Sequence, residues 1–154
     1  DPLWSRGLGD VYKRQALLRS RRHRGRGHPG VTSAVAVPGL AGIPLTQRGI
    51  AETFTVASAH DQIEALGGGR DHTVVLLMGV NTLGHSAHVL AAGARGADCP
   101  VAIIEDGFGA RQRVTVGTLD TITHLAAVRQ VRSPAVVVVG DVVALSPHAG
   151  ISPS

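Results

Sequence analysis

The stretch "SPAVVVVGDVV" (residues 133–143) decides the fold class of this chain. It predicts a strand that is too apolar to lie at the edge of a sheet. Two other segments, "HTVVLLM" (72–78) and "PVAIIE" (100–105), also predict buried strands, and a glycine follows each within two residues. Three buried strands need helices to cover their faces, so the chain is expected to form an α/β layer.

The segments around these strands supply the rest of that layer. Helical spacing and capping residues predict three helices, and residues rich in Thr and Val predict two outer strands. The first helix starts within Val31–Leu40, where Thr32 or Ser33 can cap it and Pro38 is expected to end or kink it. The fold class is therefore α/β, a sheet of about five strands flanked by helices. The remaining segments are "ETFTVAS" (52–58) and "RVTVGT" (113–118) as strands, and "TLGHSAHVLAAGA" (82–94) and "LDTITHLAAVRQV" (119–131) as helices.

Length and composition fit one globular domain. The chain has 154 residues, of which 44% are hydrophobic and 17% are charged. The sequence predicts a domain at residues 29–145, followed by a flexible tail at 146–154. No apolar run is long enough for a membrane helix, and the single cysteine, Cys99, cannot form an internal disulfide. A cytoplasmic location without membrane binding is therefore expected.

The first 28 residues differ in character from the rest. Residues 1–30 hold eight of the 15 basic residues and two of the 11 acidic ones, so the remainder carries a net charge of −2. Within this segment, "DVYKRQ" (10–15) resembles the translation of a transposase mosaic-end adaptor used in sequencing libraries. We interpret residues 1–28 as an adaptor artefact or a disordered basic segment. An RNA-binding arm is the alternative, but aromatic residues that would stack on bases are not interleaved with the arginines, so no nucleic-acid partner is expected.

Two buried strands end in a similar way. Met78-Gly79 closes one strand, and Glu105-Asp106-Gly107 closes the other. In α/β sheets, ligands bind beyond the carboxyl ends of the strands, where glycine lets a ligand approach the backbone. The alternative is that these glycines only turn the chain.

A family resemblance favours the ligand site. In order along residues 29–145, the chain resembles the C-terminal half of the uroporphyrinogen-III C-methyltransferases, a branch of the tetrapyrrole methylase superfamily. The "GIPLT-x-RG" element, at residues 42–49, is the most specific part. The matching segments are "PGVTSAVAVPGLAGIPLTQRG", "FTVASAH", "LLMGV", "CPVAIIEDG", "RQRVTVGTL" and "SPAVVVVGDVV".

The resemblance implies two methylations of uroporphyrinogen III, which give precorrin-2 for sirohaem and cobalamin synthesis. The methyl donor is S-adenosylmethionine, bound between two α/β domains. Four donor contacts carry over to this chain, namely Thr32, Ser33, Met78 and Gly107. The sequence departs from the family at positions near them: Ser33 replaces a frequent alanine, and Phe108 stands where threonine is common.

Arg48 is the predicted substrate contact. The substrate is a macrocycle fringed with carboxylates, and the guanidinium fork matches a carboxylate. We expect residues 46–49 to form a loop at the rim of the cleft, with the small residues of 31–41 beneath the donor. The alternative is a salt bridge between Arg48 and Glu52, four residues on.

The resemblance also implies what else to expect. The family's N-terminal domain, with its proposed acid–base residues, has no counterpart in the sequence. The chain is therefore expected to be a fragment that is inactive alone, with unknown catalytic residues and a homodimeric full-length enzyme. His85 and His88 are three residues apart, but a third ligand is not evident, so no metal is expected. The alternatives are a precorrin methylase and a non-catalytic binding or dimerisation module.

Overall fold

The computed structural model describes residues 30–60 and 63–150. The interpretation of residues 1–28 and the end of the predicted tail, 151–154, lie outside the described residues. The described chain forms one sheet of five strands in the order β1-β2-β5-β3-β4, which confirms the predicted fold class. The strands are β1 (Thr53–Ser58), β2 (His72–Leu77), β3 (Pro100–Glu105), β4 (Arg113–Thr118) and β5 (Ala135–Val139).

The strand directions give the sheet two distinct edges. Strand β1 pairs parallel to β2, whereas β5 lies between β2 and β3 and is antiparallel to both. Strands β1, β2 and β3 therefore run in one direction and end at the same edge, which we call the carboxyl edge. The opposite edge, where these three strands begin, is the amino edge. Strand β4 is antiparallel to β3, so it begins at the carboxyl edge.

Three helices cover the sheet, close to the predicted segments. Helix α1 (Ser33–Leu40) begins after Thr32, whose side chain accepts a hydrogen bond from the Ala34 amide at 3.3 Å. Pro38 lies inside α1 and does not end it, because the helix continues for two further residues. Helix α2 (Leu83–Ala92) ends at Gly93. None of the helices that the structure describes is long and apolar enough to cross a membrane.

Two predicted segments are shorter than expected. Helix α3 spans Ile122–Val128, seven residues of the predicted 119–131. The apolar run that predicted one strand to residue 143 breaks after Val139, because Gly140 has a φ of 138°. The chain then turns into a 3₁₀ helix, Asp141–Leu145. The strand is central, as its composition predicts, but only its first half lies in the sheet.

The valines of β5 contribute to a core on each face of the sheet. Val137 and Val139 pack on the face covered by α2 and α3. Val136 and Val138 pack on the other face, under α1 and the 3₁₀ helix. Because successive strand residues point to opposite faces, a run of valines without polar interruption is what a sheet covered on both sides requires.

Candidate functional site

Two of the predicted donor contacts meet at the carboxyl edge. Met78 directly follows β2, and Gly107 lies two residues after the end of β3. These strands are separated only by β5. Two strand spacings amount to about 9.5 Å, a distance that a nucleoside can span. The expectation that Met78 and Gly107 share one edge of the sheet is confirmed.

The start of helix α1 lies at the same edge. Near its centre, α1 contacts the loop after β3, since a Cβ built on Gly107 would lie 2.5 Å from Val37 Cγ2. At the other end of α1, the Ala41 carbonyl accepts a hydrogen bond from Ser146 Oγ at 3.1 Å, and Ser146 ends the 3₁₀ helix that begins where β5 leaves the sheet at the amino edge. The helix therefore runs from the carboxyl edge to the amino edge. Thr32 and Ser33, at its start, project about 6–8 Å past Val37 along the helix axis.

Backbone strain is concentrated at the carboxyl edge. Among the described residues, four that are not glycine have a positive φ: Met78 (59°), Asp106 (48°), Phe108 (65°) and Gln130 (51°). The first three follow strands that end there, and the carbonyl of Gln130 accepts a hydrogen bond from Arg113, the first residue of β4. Such conformations cost about 1–3 kcal/mol each and cluster at functional sites. The positive φ values therefore indicate a candidate functional site at this edge without use of the family resemblance.

Two apolar side chains are exposed beside this strained backbone. Met78 is 48% exposed and Phe108 is 67% exposed. A methionine and a phenylalanine gain nothing from solvent contact, and left-handed φ values are unfavourable for both. The pair is therefore suited to cover an apolar or aromatic part of a ligand.

Side chains of the loop after β3 hold it in this conformation. Asp106 Oδ2 accepts a hydrogen bond from the Arg111 amide at 3.1 Å, and Gln112 Oε1 accepts one from the Phe108 amide, also at 3.1 Å. The Asp106 amide donates to the Pro134 carbonyl at 2.9 Å. The loop is thus fixed from within and tied to the segment that enters β5.

An ion pair with a buried carboxylate lies next to this loop. The Glu105 carboxylate accepts hydrogen bonds from Arg113 Nε at 2.9 Å and from Arg113 Nη2 at 2.8 Å. The hydrogen bond with Glu105 raises the pKa of Arg113. The two residues are partners across strands β3 and β4 of the same sheet. Both Glu105 oxygens are engaged, so this carboxylate is part of the framework.

Arg48 does not lie with the other predicted site residues. It occupies a tight turn in which the Gln47 carbonyl accepts the Ile50 amide at 2.9 Å and Gly49 has a φ of 79°. This turn leads into the start of β1, at the amino edge. The turn precedes the first residue of β1, whereas Met78 and Gly107 follow strands that end at the carboxyl edge, so the substrate contact of Arg48 stays a prediction. The alternative pairing is not formed, because no salt bridge joins Arg48 to Glu52.

One of the two histidines considered as metal ligands, His85, makes another contact. His85 Nε2 lies 3.1 Å from Glu64 Oε1. Within residues 30–60 and 63–150, no cluster of three or more potential metal ligands occurs. Cys99 is buried, and burial raises the pKa of its thiol to about 11, which makes it unreactive at neutral pH.

Sequence reasoning missed three features of the carboxyl edge. The sequence marks Phe108 only as a replacement for a common threonine and does not indicate that its side chain is exposed at this edge. It also does not indicate the Glu105–Arg113 pair. Arg111, whose side chain is 93% exposed, also lies at this edge. The β3–β4 hairpin places Glu105 opposite Arg113. The short connection between the two strands predicts such a hairpin, and with it a pairing of the last residue of β3 with the first residue of β4.

Comparisons with known proteins place the chain in a family. Residues 9–123 match the family model described as tetrapyrrole (corrin/porphyrin) methylases. The chain is 46% identical, over 125 residues, to the S-adenosyl-L-methionine-dependent uroporphyrinogen III methyltransferase of Methanosarcina barkeri; the match covers 76% of this chain and 49% of that protein. The chain thus spans about half the length of this relative. The family match begins inside residues 1–28, whose interpretation stays a prediction.

Solved structures give the same answer. The crystal structure of uroporphyrin-III C-methyltransferase from Thermus thermophilus superposes with a TM-score of 0.74 at 34% identity, covering 96% of this chain and 65% of that one. A crystal structure of uroporphyrin-III C-methyl transferase from Thermus thermophilus, complexed with S-adenosylhomocysteine, has a TM-score of 0.73 at 26% identity, covering 93% of this chain and 60% of that one. From the family match and the shared fold, the chain belongs to the tetrapyrrole methylase family.

Proposed function

We propose that this chain forms the donor-binding wall of an S-adenosylmethionine-dependent uroporphyrinogen-III C-methyltransferase and corresponds to its C-terminal half. The product is precorrin-2, used for sirohaem or cobalamin. The observation that supports the proposal is that Met78 and Gly107 follow strands ending at one edge, where the loop of Gly107 also contacts Val37 of α1. That edge also holds the strained residues of the described chain.

The groups at the carboxyl edge fit the chemistry of the donor. S-adenosylmethionine combines a planar, largely apolar adenine with a polar ribose and a charged amino acid end. The exposed side chains of Met78 and Phe108 can cover the adenine, and Ser33 offers a hydroxyl at the start of α1. Loops with exposed backbone can supply amide and carbonyl groups without long side chains.

The chain's contribution to methyl transfer is orientation. The methyl carbon leaves the donor sulfur and bonds to a nucleophilic carbon of the macrocycle, with S-adenosylhomocysteine as the leaving group. This displacement needs the two reacting atoms in line and water excluded. The carboxyl edge supplies one wall of such a site, so we propose that the 154-residue chain alone gives no turnover. We also propose that the full-length enzyme is a cytoplasmic homodimer.

The first prediction tests donor binding. Isothermal calorimetry of the chain should detect S-adenosylhomocysteine, and Met78→Gly should weaken this binding by about fivefold because a covering side chain is lost. The same variant should raise the free energy of unfolding by about 0.5–1 kcal/mol, since glycine adopts the left-handed conformation without strain. Opposite changes in affinity and stability would separate a ligand contact from a structural one.

The outcome that contradicts the proposal is equally specific. A folded chain that does not bind S-adenosylhomocysteine would favour the non-catalytic module. Val128→Ala is the control variant, because glycine at this helical position would itself destabilise the chain. Val128 is exposed on α3, and its truncation should leave donor affinity unchanged.

The second prediction concerns the substrate carboxylates. Two exposed arginines are candidates for binding a substrate carboxylate. Arg48 lies on the turn before β1, and Arg111 lies at the carboxyl edge. If carboxylates bind beside the donor, Arg111→Ala should weaken binding of uroporphyrin III by about 1.5–3 kcal/mol, and lysine should restore only part of it. If Arg48 is the contact, Arg48→Ala should produce that loss and Arg111→Ala should not. Fluorescence titration of both variants decides between them.

A further inference from the structure

The Glu105–Arg113 ion pair lies where three segments of the carboxyl edge meet. Glu105 is the last residue of β3, and Arg113 is the first residue of β4. Glu105 Oε1 also accepts a hydrogen bond from the Arg132 amide at 2.9 Å, and Arg113 Nη2 reaches the Gln130 carbonyl at 3.5 Å. The pair therefore ties both strand ends to the segment between α3 and β5.

The burial of the pair is asymmetric. The Glu105 side chain is 7% exposed, whereas that of Arg113 is 47% exposed. A buried carboxylate needs a charged or hydrogen-bonded partner, because its transfer from water is costly. Arg113 meets this need with two parallel hydrogen bonds, a geometry that lysine cannot reproduce.

The strained loop above the pair needs such a fixed base. Asp106 and Phe108 keep left-handed backbone conformations next to Glu105. Strained conformations persist only where the surrounding structure holds them in place. The Asp106 amide bonds to the Pro134 carbonyl, so the loop depends on the same 130–134 segment that Glu105 holds.

We propose that Arg113, acting through Glu105, is a positioning residue for the methyl-donor site. It touches neither donor nor substrate; it sets the conformation of the Gly107–Phe108 loop. This inference rests on the proposed function for its binding readout. Its structural readout, the conformation of the loop, is independent of that function.

The opposite edge of the sheet offers a matched control. Arg70 bridges two carboxylates there, Asp98 and Asp141. Its contact to Asp141 joins the segment before β2 to the segment after β5. The Arg113 contact to Glu105 likewise joins two strand ends. Arg70→Lys therefore disrupts a second arginine–carboxylate network, whose carboxylates are 79% and 39% exposed, at the amino edge away from the proposed donor site.

The experiment compares Arg113→Lys with Arg70→Lys in the 154-residue chain. In ¹H–¹⁵N spectra, Arg113→Lys should shift the amide signals of Gly107, Phe108 and Gly109, whereas Arg70→Lys should leave them in place. By calorimetry, Arg113→Lys should weaken binding of S-adenosylhomocysteine by about tenfold, as substitutions that act through another residue can do. Arg70→Lys should change it by less than about twofold. Glu105→Gln should reproduce the Arg113→Lys pattern.

Several results would overturn the proposal. Unchanged loop signals in folded Arg113→Lys and Glu105→Gln variants would show that the loop does not depend on the pair. Equal loss of affinity in Arg70→Lys would show a general effect of stability. Loss of cooperative unfolding in both Arg113→Lys and Glu105→Gln would show that the pair stabilises the whole sheet and has no specific effect on the loop. If the loop signals shift but the unsubstituted chain does not bind S-adenosylhomocysteine, the proposed function fails and the positioning of the loop stands.

Discussion

Gly107→Ala is expected to destabilise the chain and to weaken donor binding together. A Cβ at this position would lie 2.5 Å from Val37 Cγ2 and 2.7 Å from Val37 Cγ1. Either helix α1 or the loop after β3 must then move, and both carry predicted donor contacts. Overpacking of this kind costs about 1–3 kcal/mol. We expect affinity for S-adenosylhomocysteine to fall by about tenfold or more, as measured by calorimetry, because a shift of about 1 Å disturbs an oriented site.

Two further variants make this prediction specific. Gly39 lies in α1 at an exposed position, and no heavy atom lies within 4 Å of a Cβ built there. Gly39→Ala should therefore keep donor affinity and raise stability by up to about 1 kcal/mol. Val37→Ala combined with Gly107→Ala removes the two clashing methyl groups, so the double variant should lose less than the sum of the single losses. Additive losses would contradict the proposed clash.

Ile104→Ala is expected to have the largest effect on stability. Ile104 is fully buried in β3 and packs in the core under α1, the helix that presents Thr32 and Ser33. Truncating a buried isoleucine to alanine costs about 2–5 kcal/mol through lost burial and a residual cavity. Urea unfolding followed by circular dichroism would measure this loss. Val128→Ala, at an exposed position on α3, should stay within about 0.5 kcal/mol of the unsubstituted chain. Similar losses for the two variants would contradict the assigned core.

The sequence predicts the elements of this fold well, for physical reasons. The valine run of β5 is apolar on both faces, and such a strand is stable only inside a covered sheet. Thr32 predicts the start of α1, because its hydroxyl satisfies an amide that the first turn leaves free. These signals are local, since the residues that set the element are neighbours in sequence.

The features that the sequence did not predict depend on strand direction and on backbone conformation. The parallel pairing of β1 with β2 places the start of β1, and the turn of Arg48 that leads into it, at the amino edge. The motif around Arg48 contains no signal for that direction. The left-handed φ values of Met78 and Phe108 are also unexpected, because neither residue type favours them. Strand direction depends on pairing between segments that are distant in sequence, whereas the loop of Phe108 is held by a hydrogen bond to Gln112, four residues on.

The sequence predicts part of the candidate site. Met78 and Gly107 follow buried strands that run in the same direction, so a general rule for strand ends brings them together. Phe108 and the Glu105–Arg113 pair carry no motif, and only the geometry of the loop shows their place. The donor roles of the individual residues remain proposals for the binding experiments.

The central claim is that the carboxyl edge binds the methyl donor. The most direct measurement is a titration of the ¹⁵N-labelled chain with S-adenosylhomocysteine, followed by ¹H–¹⁵N correlation spectra. The account predicts that amide signals of Ser33, Met78, Gly107 and Phe108 shift with saturation, while those of Arg70 and Gly140, at the amino edge, stay in place. Saturable shifts confined to the amino edge, or no shifts in a folded chain, would contradict it.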